Sequence, residues 1–251
     1  MLELRNISAG YKNKTILKDA SVAFEKGTLT SIIGANGCGK STLLKAILGI
    51  LPLSDGEIVI DGSSIGSMSR IEIAQKAAYL AQGNAVPDMT VEQMVLHGRF
   101  PYLSYPRRYG KADLEIAETA METVGILHLA DQPLYTLSGG MRQNAYIAMA
   151  LAQDTDYILL DEPTTYLDIA HQLDLMKILR RLADDGKGII TVIHDLPLAF
   201  DFSDVLAVVH NGTIAAKASP EELSEMSLIE EIFGIRMERM EDSKFYYQYQ
   251  R

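Results

Sequence analysis

The chain has 251 residues, of which 47% are hydrophobic, and a formal net charge of −10. This length is enough for one large domain with a packed core, and the acidic balance argues against broad nucleic-acid binding, which needs a basic face. No apolar run approaches the roughly 18 residues of a membrane-spanning helix, and the N-terminus does not resemble a secretory signal. Since Cys38 has no second cysteine to pair with, we expect a protein of the reducing cytoplasm.

The chain opens with a predicted β-rich layer. Leu2 to Ile7 alternates apolar and polar side chains, which indicates a half-buried strand. A turn-rich stretch at residues 8–14 comes next, followed by short strands at 16–17 and 21–24. Tyr11 lies in the turn-rich stretch. From the residues alone it is either an ordinary core or surface tyrosine or a ring that stacks on a base.

A glycine-rich loop lies between a buried strand at Leu29–Ile33 and a predicted helix that begins at Ser41-Thr42. The loop Gly34-Ala35-Asn36-Gly37-Cys38-Gly39-Lys40-Ser41 matches G-x-x-x-x-G-K-[ST], the phosphate-binding loop. Glycines let backbone N–H groups turn toward one point, where they hold an anion together with the positive end of the helix. In such loops the lysine reaches the β- and γ-phosphates, and the hydroxyl that follows is a ligand for Mg²⁺.

The next segment is predicted to return to β structure. Residues 53–56 are predicted to form a turn, and residues 57–60 a strand that ends in a hairpin signal at Asp61-Gly62. A short helix at residues 71–76 then leads to a strand at 78–80 that ends at Gln82.

The stretch from Gly83 to Gly110 is rich in loops and contains one predicted helix, Thr90 to Arg99, with a second helix at residues 111–124. We interpret it as a helical insertion between core strands. Its aromatic side chains form either a partner-binding surface or a loop packed on its own helix; they are Phe100, Tyr102, Tyr105 and Tyr109. Arg107-Arg108 is the best candidate for a local basic patch, with a solvated loop as the alternative.

Two adjacent carboxylates follow a later strand. Ser138 is placed at the N-cap of a helix that ends near Ala152, and residues 157–160 form a buried strand that leads into Asp161-Glu162. Adjacent carboxylates at a strand end are costly unless a metal, water or donor satisfies them. An amphipathic helix at residues 169–184 and a buried strand at 188–193 follow. His194 ends that strand and is, by itself, either a satisfied core histidine or a functional one.

The C-terminal part is predicted to contain a hairpin through Asn211-Gly212, short helices near Pro220 and Ser227, and an aromatic tail at residues 245–249. The tail is either an edge strand or a partner contact. Strands that alternate with helices predict an α/β fold with a mostly parallel core sheet. The polar residues at the strand ends should therefore gather at the carboxyl edge of the sheet, beside the glycine-rich loop.

Six motifs in order, over about residues 2–220, resemble those of the nucleotide-binding subunits of ABC transporters. They are Walker A at Gly34–Ser41, the Q-loop Gln82, the signature Leu137–Gln143, Walker B at Tyr157–Asp161 followed by Glu162, the D-loop Tyr166–Asp168 and the switch His194. The resemblance implies a single ABC ATPase domain over residues 1–251. This would be a P-loop NTPase core with an N-terminal antiparallel β layer and a helical subdomain inserted at about 84–155.

The resemblance also implies roles, with ATP as the nucleotide and Mg²⁺ as the metal. Ser41, Gln82 and Asp161 would hold Mg²⁺. Glu162 would orient or deprotonate the attacking water, assisted by His194 and Gln82. The nucleotide contacts within one chain would be Tyr11 on adenine and, around the phosphates, Gly34, Ala35, Asn36, Gly37, Cys38, Gly39, Lys40, Ser41 and Thr42. A second copy would contribute Ser138, Gly139, Gly140 and Asp168, so that two chains close head to tail over two ATP.

Three stretches, Gly98–Leu103, Leu151–Tyr157 and Pro163–His171, resemble the importers for ferric siderophores, haem and cobalamin. That resemblance implies a peripheral protein on the cytoplasmic face of the cell membrane, working with two transmembrane permease subunits. The permease would be contacted through residues 100–108. An extracytoplasmic substrate-binding protein would be an indirect partner, and nucleic acid would not be one.

Three residues depart from the usual pattern, because Met141 stands where Gln is common and Asn144 and Met149 stand where Arg is common. The alternative function is a soluble ABC protein that acts on ribosomes or DNA. Such proteins usually carry two cassettes, long coiled-coil insertions or basic arms, and this sequence shows one cassette, no heptad run and an acidic balance. A pseudo-ATPase is disfavoured because every catalytic position is filled.

Overall fold

The computed structural model of the chain describes residues 1–12, 14–83, 86–239 and 244–249. The strands are β1 (Leu2–Tyr11), β2 (Lys14–Phe24), β3 (Leu29–Ile33), β4 (Leu53–Ile60), β5 (Ser63–Ser64), β6 (Ala77–Leu80), β7 (Tyr157–Asp161), β8 (Gly188–Val192), β9 (Val205–His210), β10 (Thr213–Ala218), β11 (Ile235–Arg239) and β12 (Phe245–Tyr249). The α-helices are α1 (Lys40–Ile47), α2 (Arg70–Ala74), α3 (Val91–Leu96), α4 (Lys111–Thr123), α5 (Gly139–Ala152), α6 (Ile169–Asp184), α7 (Leu196–Phe202), α8 (Pro220–Glu225) and α9 (Leu228–Phe233).

A central sheet of the described residues has the strand order β10-β9-β3-β8-β7-β6. Its strands pair in parallel except β10, which returns antiparallel beside β9 after the predicted hairpin. Strands β3, β7 and β8 are buried along their whole length, because one face packs against the helices α5, α6 and α7 and the other against α1 and the second sheet. The predicted α/β core is confirmed.

The second sheet has the order β2-β1-β4-β5 and is antiparallel throughout, which confirms the predicted N-terminal β layer. The turn predicted at residues 53–56 is wrong, because β4 already begins at Leu53. Gly56 has φ +81, and a Cβ there would overlap backbone carbonyls of β1 where the register shifts. This glycine therefore marks a bulge inside a strand, which sequence pattern alone does not distinguish from a turn.

Other element boundaries also differ from prediction, in both strands at the start of this sheet and in one helix outside it. Strand β1 continues to Tyr11 through the stretch predicted as turn-rich, and the two short strands that follow are one strand, β2. The helix predicted from Thr90 to Arg99 is α-helical only to Leu96 and then tightens into a 3₁₀ segment, His97–Tyr102. Pro101 lies within that segment and has no N–H to continue an α-helical ladder.

The part of the chain that connects β6 to β7 contains helices α3, α4 and α5, which pack on one another. A buried ion pair holds this group together. The Arg99 guanidinium is only 9% exposed, its Nε lies 2.9 Å from Oδ1 of Asp113 on α4, and its Nη1 donates to the carbonyl oxygen of Ala152 at 3.0 Å. The pair joins the 3₁₀ segment to the N-terminus of α4 and the C-terminus of α5.

The aromatic tail is a strand. β12 pairs antiparallel with β11, the Phe245 ring tilts against Phe200 of α7 at 5.2 Å between centroids, and the Phe245 amide donates to Asp201 at 2.8 Å. These contacts hold the tail against α7. Nowhere in the described ranges does a helix combine the length and apolar character needed to cross a membrane.

Replacing Asp113 with alanine should destabilise the fold strongly. Asp113→Ala leaves the buried Arg99 charge without its carboxylate, and removing one partner of a buried pair costs about 3 kcal/mol in the free energy of unfolding. Urea unfolding followed by circular dichroism measures this loss. The matched control is Lys111→Ala, which removes only the exposed pair with Glu115 on the same helix and should leave stability nearly unchanged. Equal losses in the two variants would contradict the role of the buried pair.

The stability lost in Asp113→Ala should depend on pH. The Gly110 amide and then the Arg99 guanidinium lower the pKa of Asp113. A carboxyl whose folded-state pKa is lowered stabilises the fold above its unfolded pKa and loses that contribution as the pH falls through the folded value. The difference in unfolding free energy between wild type and Asp113→Ala should therefore be full at neutral pH and shrink below about pH 4.

Candidate functional site

The glycine-rich loop joins β3 to α1 at the carboxyl edge of the central sheet. Gly34 cannot carry a side chain, because a Cβ there would overlap the carbonyl oxygen of Val209. Gly39 caps α1 with φ +117, a backbone conformation that strongly favours glycine. Residues 35–37 are exposed between them. The loop therefore presents bare backbone at a helix N-terminus, the arrangement that binds anions.

Lys40 lies over this loop and is buried, with 6% of its surface exposed. Its Nζ donates to the carbonyl oxygens of Gly34 at 2.8 Å and Ala35 at 3.0 Å. A buried ammonium needs such partners, and phosphate oxygens would satisfy it equally well. Thr42 follows on α1 and is also buried.

Asp161 ends β7 as a buried carboxylate that receives two hydroxyl donors. Ser41 of α1 donates to Oδ1 at 2.9 Å, and Tyr79 of β6 donates to Oδ2 at 3.2 Å. Burial raises the pKa of Asp161, the two hydrogen bonds oppose that rise, and the neighbouring Glu162 charge adds to it. Sequence reasoning missed Tyr79, although a phenol inside a predicted buried strand signals that it needs a polar partner.

Glu162 brings together two predicted residues and one that was not predicted. Its carboxylate lies 2.5 Å from His194 Nε2 and accepts hydrogen bonds from Gln82 Nε2 at 2.5 Å and Thr165 Oγ1 at 3.3 Å. The backbone of Glu162 has φ +52, which costs a non-glycine residue on the order of 1–2 kcal/mol. Such strain persists only where surrounding contacts hold the residue, and it is typical of functional sites.

The signature and the D-loop lie at the N-termini of two helices. Ser138 caps α5, with Ser138 and Gly139 exposed and Gly140 buried. Asp168 caps α6 and holds His171 twice, since its carboxylate accepts the backbone amide at 2.9 Å and ring Nδ1 at 2.8 Å. These contacts of His171 lower the pKa of Asp168. The contact with His171 was not anticipated.

A cavity of about 270 Å³ connects the signature helix to the carboxylates. It is lined by residues that include Gly139, Arg142, Gln82, Asp161 and Glu162. Tyr11 lies apart from this lining at the end of β1, where it is 46% exposed. Burial and then the Asp161 carboxylate raise the pKa of Tyr79, and the Tyr11 phenol adds to that rise.

Two of the departures from the usual signature have definite environments. Asn144 donates through Nδ2 to the carbonyl oxygen of Val124 at 3.2 Å and so ties α5 to the end of α4. Met141 is 41% exposed on the first turn of α5. Asn144 therefore serves packing inside the chain, whereas Met141 faces outward beside the signature.

The oxygen donors beside the loop fit a magnesium ion. No group of three or more His, Cys, Asp or Glu side chains converges in a metal-binding arrangement within the described ranges. Mg²⁺ needs fewer protein ligands, because it retains waters and takes oxygens from substrate phosphates. The Ser41 hydroxyl and the Asp161 carboxylate meet at 2.9 Å and supply this donor set. Gln82 instead contacts Glu162, so its metal contact stays a prediction.

A family model described as ABC transporter matches residues 17–165, more than half of the chain. The chain belongs to the ABC transporter family. This ABC protein is 41% identical over 238 residues to the ferric enterobactin transport ATP-binding protein FepC of Escherichia coli (strain K12), covering 94% of this chain and 88% of FepC. It is 42% identical over 237 residues to the petrobactin import ATP-binding protein YclP of Bacillus subtilis (strain 168), covering 94% and 93%.

The fold of this ABC protein also matches that of a solved transporter. It is similar to a metal-chelate type ABC transporter in an inward-facing conformation, with a TM-score of 0.84, 25% identity, and coverage of 99% of this chain and 98% of that one. The P-loop architecture predicted from the motifs is thereby confirmed. As a member of the family, the chain is an ATP-binding protein and an ATPase.

Thiol labelling tests the shape of the phosphate loop, because Cys38 is the sole cysteine of the chain. Burial raises the pKa of Cys38, and Lys40 opposes that rise. Since the thiolate reacts, a bulky maleimide should label slowly at neutral pH and faster as the pH rises beyond the usual thiol pKa of about 8.5. Labelled protein should lose ATP binding, measured by fluorescent nucleotide titration, and ATP should protect the thiol.

The control for this experiment is Cys38→Ser, which should take up no reagent. Labelled wild-type protein that still binds ATP with unchanged affinity would show that the thiol points away from the bound phosphates.

Proposed function

We propose that this chain is the ATP-hydrolysing subunit of an importer for ferric siderophores, bound to the cytoplasmic face of the membrane. The observation that carries the proposal is the convergence of Gln82, Thr165 and His194 on the Glu162 carboxylate, next to a phosphate loop. The ferric enterobactin transport of FepC and the petrobactin import of YclP support an iron-chelate cargo. Haem and cobalamin are the other cargoes of this importer group.

Hydrolysis would proceed by placing a water between Glu162 and the γ-phosphate. Lys40 would exchange its two loop carbonyls for phosphate oxygens, and His194 would contact the γ-phosphate. Glu162, freed from part of its present contacts, would orient the water and take its proton, with Gln82 alongside. Mg²⁺, held by Ser41 and Asp161, would neutralise charge on the phosphate oxygens. Tyr11 would stack on adenine.

Two copies of the chain would enclose the nucleotides. Tyr166 is 94% exposed and Ile169 is 76% exposed, on either side of Asp168. Met141, beside the signature glycines, is 41% exposed. Large apolar side chains around two exposed helix N-termini are typical of a surface that another molecule covers. ATP held by the loop of one copy and by Ser138, Gly139, Gly140 and Asp168 of the other would join the pair.

We propose that residues 1–251 are one ABC ATPase domain with a helical subdomain inserted at about 84–155. Residues 84 and 85 lie outside the described ranges, as do 250 and 251. Helices α3, α4 and α5 lie in the described part of this stretch and pack on one another, which supports its treatment as a subdomain.

The permease contact is proposed at residues 100–108. Tyr105 is 96% exposed there, and Phe100 is 41% exposed between the parallel His97 ring at 6.2 Å and the Arg107 guanidinium at 4.5 Å. The Tyr102 hydroxyl donates to the carbonyl oxygen of Gln153, which also lines a neighbouring cleft of about 310 Å³. The exposed rings of Tyr105 and Phe100 suit an apolar partner surface. An extracytoplasmic substrate-binding protein would act on the permease, not on this chain.

The proposal is tested by isolating the complex. A tagged Glu162→Gln chain is expressed in its native cell, membranes are solubilised with Mg-ATP, and the captured proteins are identified. A membrane-spanning partner in equal amount is expected, and the same partner recombined with the wild-type chain should make ATPase activity respond to a ferric siderophore. Recovery of ribosomes or DNA would favour the soluble alternative. ATPase stimulation by haem or cobalamin alone would contradict the proposed siderophore cargo but support the proposed transporter function.

Replacing Glu162 with glutamine should separate binding from hydrolysis. Glu162→Gln keeps the shape of the side chain but removes its charge, so ATP binding should persist while turnover falls about 100-fold or more, the worth of a positioned acid–base group. A phosphate-release assay and nucleotide titration measure the two quantities. Asp174→Asn, on the exposed face of α6, is the matched control. Near-normal turnover in Glu162→Gln would refute the assigned role.

Replacing Tyr105 with alanine should weaken the permease complex. Tyr105→Ala removes the most exposed ring of the proposed contact, so co-purification with the permease should fall about tenfold, within the range of aromatic anchor residues. The ATPase activity of the isolated chain should not change. Tyr135→Ala, which removes an exposed tyrosine outside residues 100–108, is the control. Equal capture by both variants would place the permease contact elsewhere.

A further inference from the structure

The two signature glycines have different surroundings inside one chain. A Cβ on Gly139 would meet no atom within 4 Å, so this position faces open space. A Cβ on Gly140 would overlap the His171 ring, with Cγ and Nε2 at 2.8 Å and Cδ2 closer still. Contacts this short do not occur for real Cβ atoms, so a side chain at position 140 would require the His171 ring to shift.

His171 is held on its opposite edge by the D-loop. Ring Nδ1–H donates to Asp168 at 2.8 Å, and the backbone amide of His171 donates to the same carboxylate at 2.9 Å. The Nδ1 edge of the ring therefore binds the cap of α6, while the Cδ2 and Nε2 edge packs on the first turn of α5. One side chain spans the two helix N-termini.

We propose that His171 is a positioning residue that locks the signature loop and the D-loop of one chain into a single unit. The inference rests on the proposed pairing of two chains around ATP, in which both loops face the second copy. Their relative position sets how well Ser138, Gly139 and Asp168 fit that copy and its nucleotide together. His171 itself touches neither the phosphate loop nor Glu162 in this structure, so it acts on the pairing of chains and not on nucleotide affinity.

His171 makes more contacts than the capping of α6 requires. Asp168 already caps α6 through the His171 amide, which any residue at position 171 supplies. The imidazole adds a second bond to the carboxylate and closes the space beside Gly140. A side chain that served the cap alone would not have to pack against another helix.

The steric part of the proposal is tested on the single chain by thermal unfolding. Gly140→Ala should lower the unfolding midpoint by about 5 °C, because the new methyl group meets the ring. In a His171→Ala background the same substitution should shift the midpoint by less than about 1 °C. Gly139→Ala, into open space, is the matched control and should be neutral or slightly stabilising, since alanine favours helix. Additive effects of Gly140→Ala and His171→Ala would overturn the contact.

The positioning part is tested by ATP-dependent dimerisation in the Glu162→Gln background, followed by sedimentation with Mg-ATP. His171→Ala should raise the dimer dissociation constant about tenfold, the usual effect of losing a hydrogen bond to a charged group, and leave the ATP affinity of the single chain within about twofold. His171→Asn keeps a planar donor near Asp168 but is too short to pack on Gly140 as well, so it should recover only part of the loss. Lys177→Ala, in an exposed pair further along α6, is the control.

The outcomes separate this inference from the proposed function. If Glu162→Gln alone forms no dimer with ATP, the proposed pairing of chains is wrong, and with it the positioning role. If Glu162→Gln forms the dimer and His171→Ala forms it equally well, the pairing stands and the role of His171 is overturned. A parallel loss of ATP affinity by the single chain would also overturn it, because His171 would then act on the nucleotide site within its own chain.

Discussion

The meeting of two adjacent carboxylates at the end of β7 is the constraint around which the site is arranged. Asp161 is 4% exposed and the Glu162 side chain beside it is 16% exposed, so water screens the two like charges only in part. Each carboxylate needs its own donors. A parallel sheet supplies them, because the carboxyl ends of β3, β6, β7 and β8 share one edge. Ser41 and Tyr79 satisfy the first carboxylate, and groups that follow β6 and β8 satisfy the second.

That shared edge is why much of the site could be predicted from sequence. The alternation of strands and helices predicted that Gln82 and His194 gather at the carboxyl edge of the sheet. Both lie beside Glu162 because the strands that precede them, β6 and β8, pair on either side of β7. Tyr79 and Thr165 were missed for a physical reason. Whether a tyrosine inside a strand turns its hydroxyl toward a carboxylate depends on the packing of β6 against β7 and α1, and no local pattern encodes that packing.

The fold was predictable where the hydrophobic periodicity was strong. It was ambiguous where the local structure depended on a glycine. The boundaries of α6 agree with prediction because its apolar face and its Asp168 cap mark them. Gly56 is compatible equally with a turn and with a bulge, and only the neighbouring backbone of β1 selects the bulge. The role of Gly140 likewise depends on a residue that is distant in sequence. Its sequence context indicates an anion-binding helix N-terminus, whereas the close approach of His171 is visible only in three dimensions.

The segment from Glu162 to Asp168 joins the carboxylate proposed as catalytic to the face proposed to meet a second copy. It contains two non-glycine residues in the left-handed region, Glu162 with φ +52 and Tyr166 with φ +67, and its Thr165 hydroxyl bonds back to Glu162. Strained and internally bonded backbone has few alternative conformations. A displacement of Glu162 on nucleotide binding would therefore move Asp168 rather than be absorbed between them. Through His171 the same displacement would reach Gly140, so the proposed catalytic residues and the residues proposed to hold the second copy's ATP belong to one contiguous set of contacts.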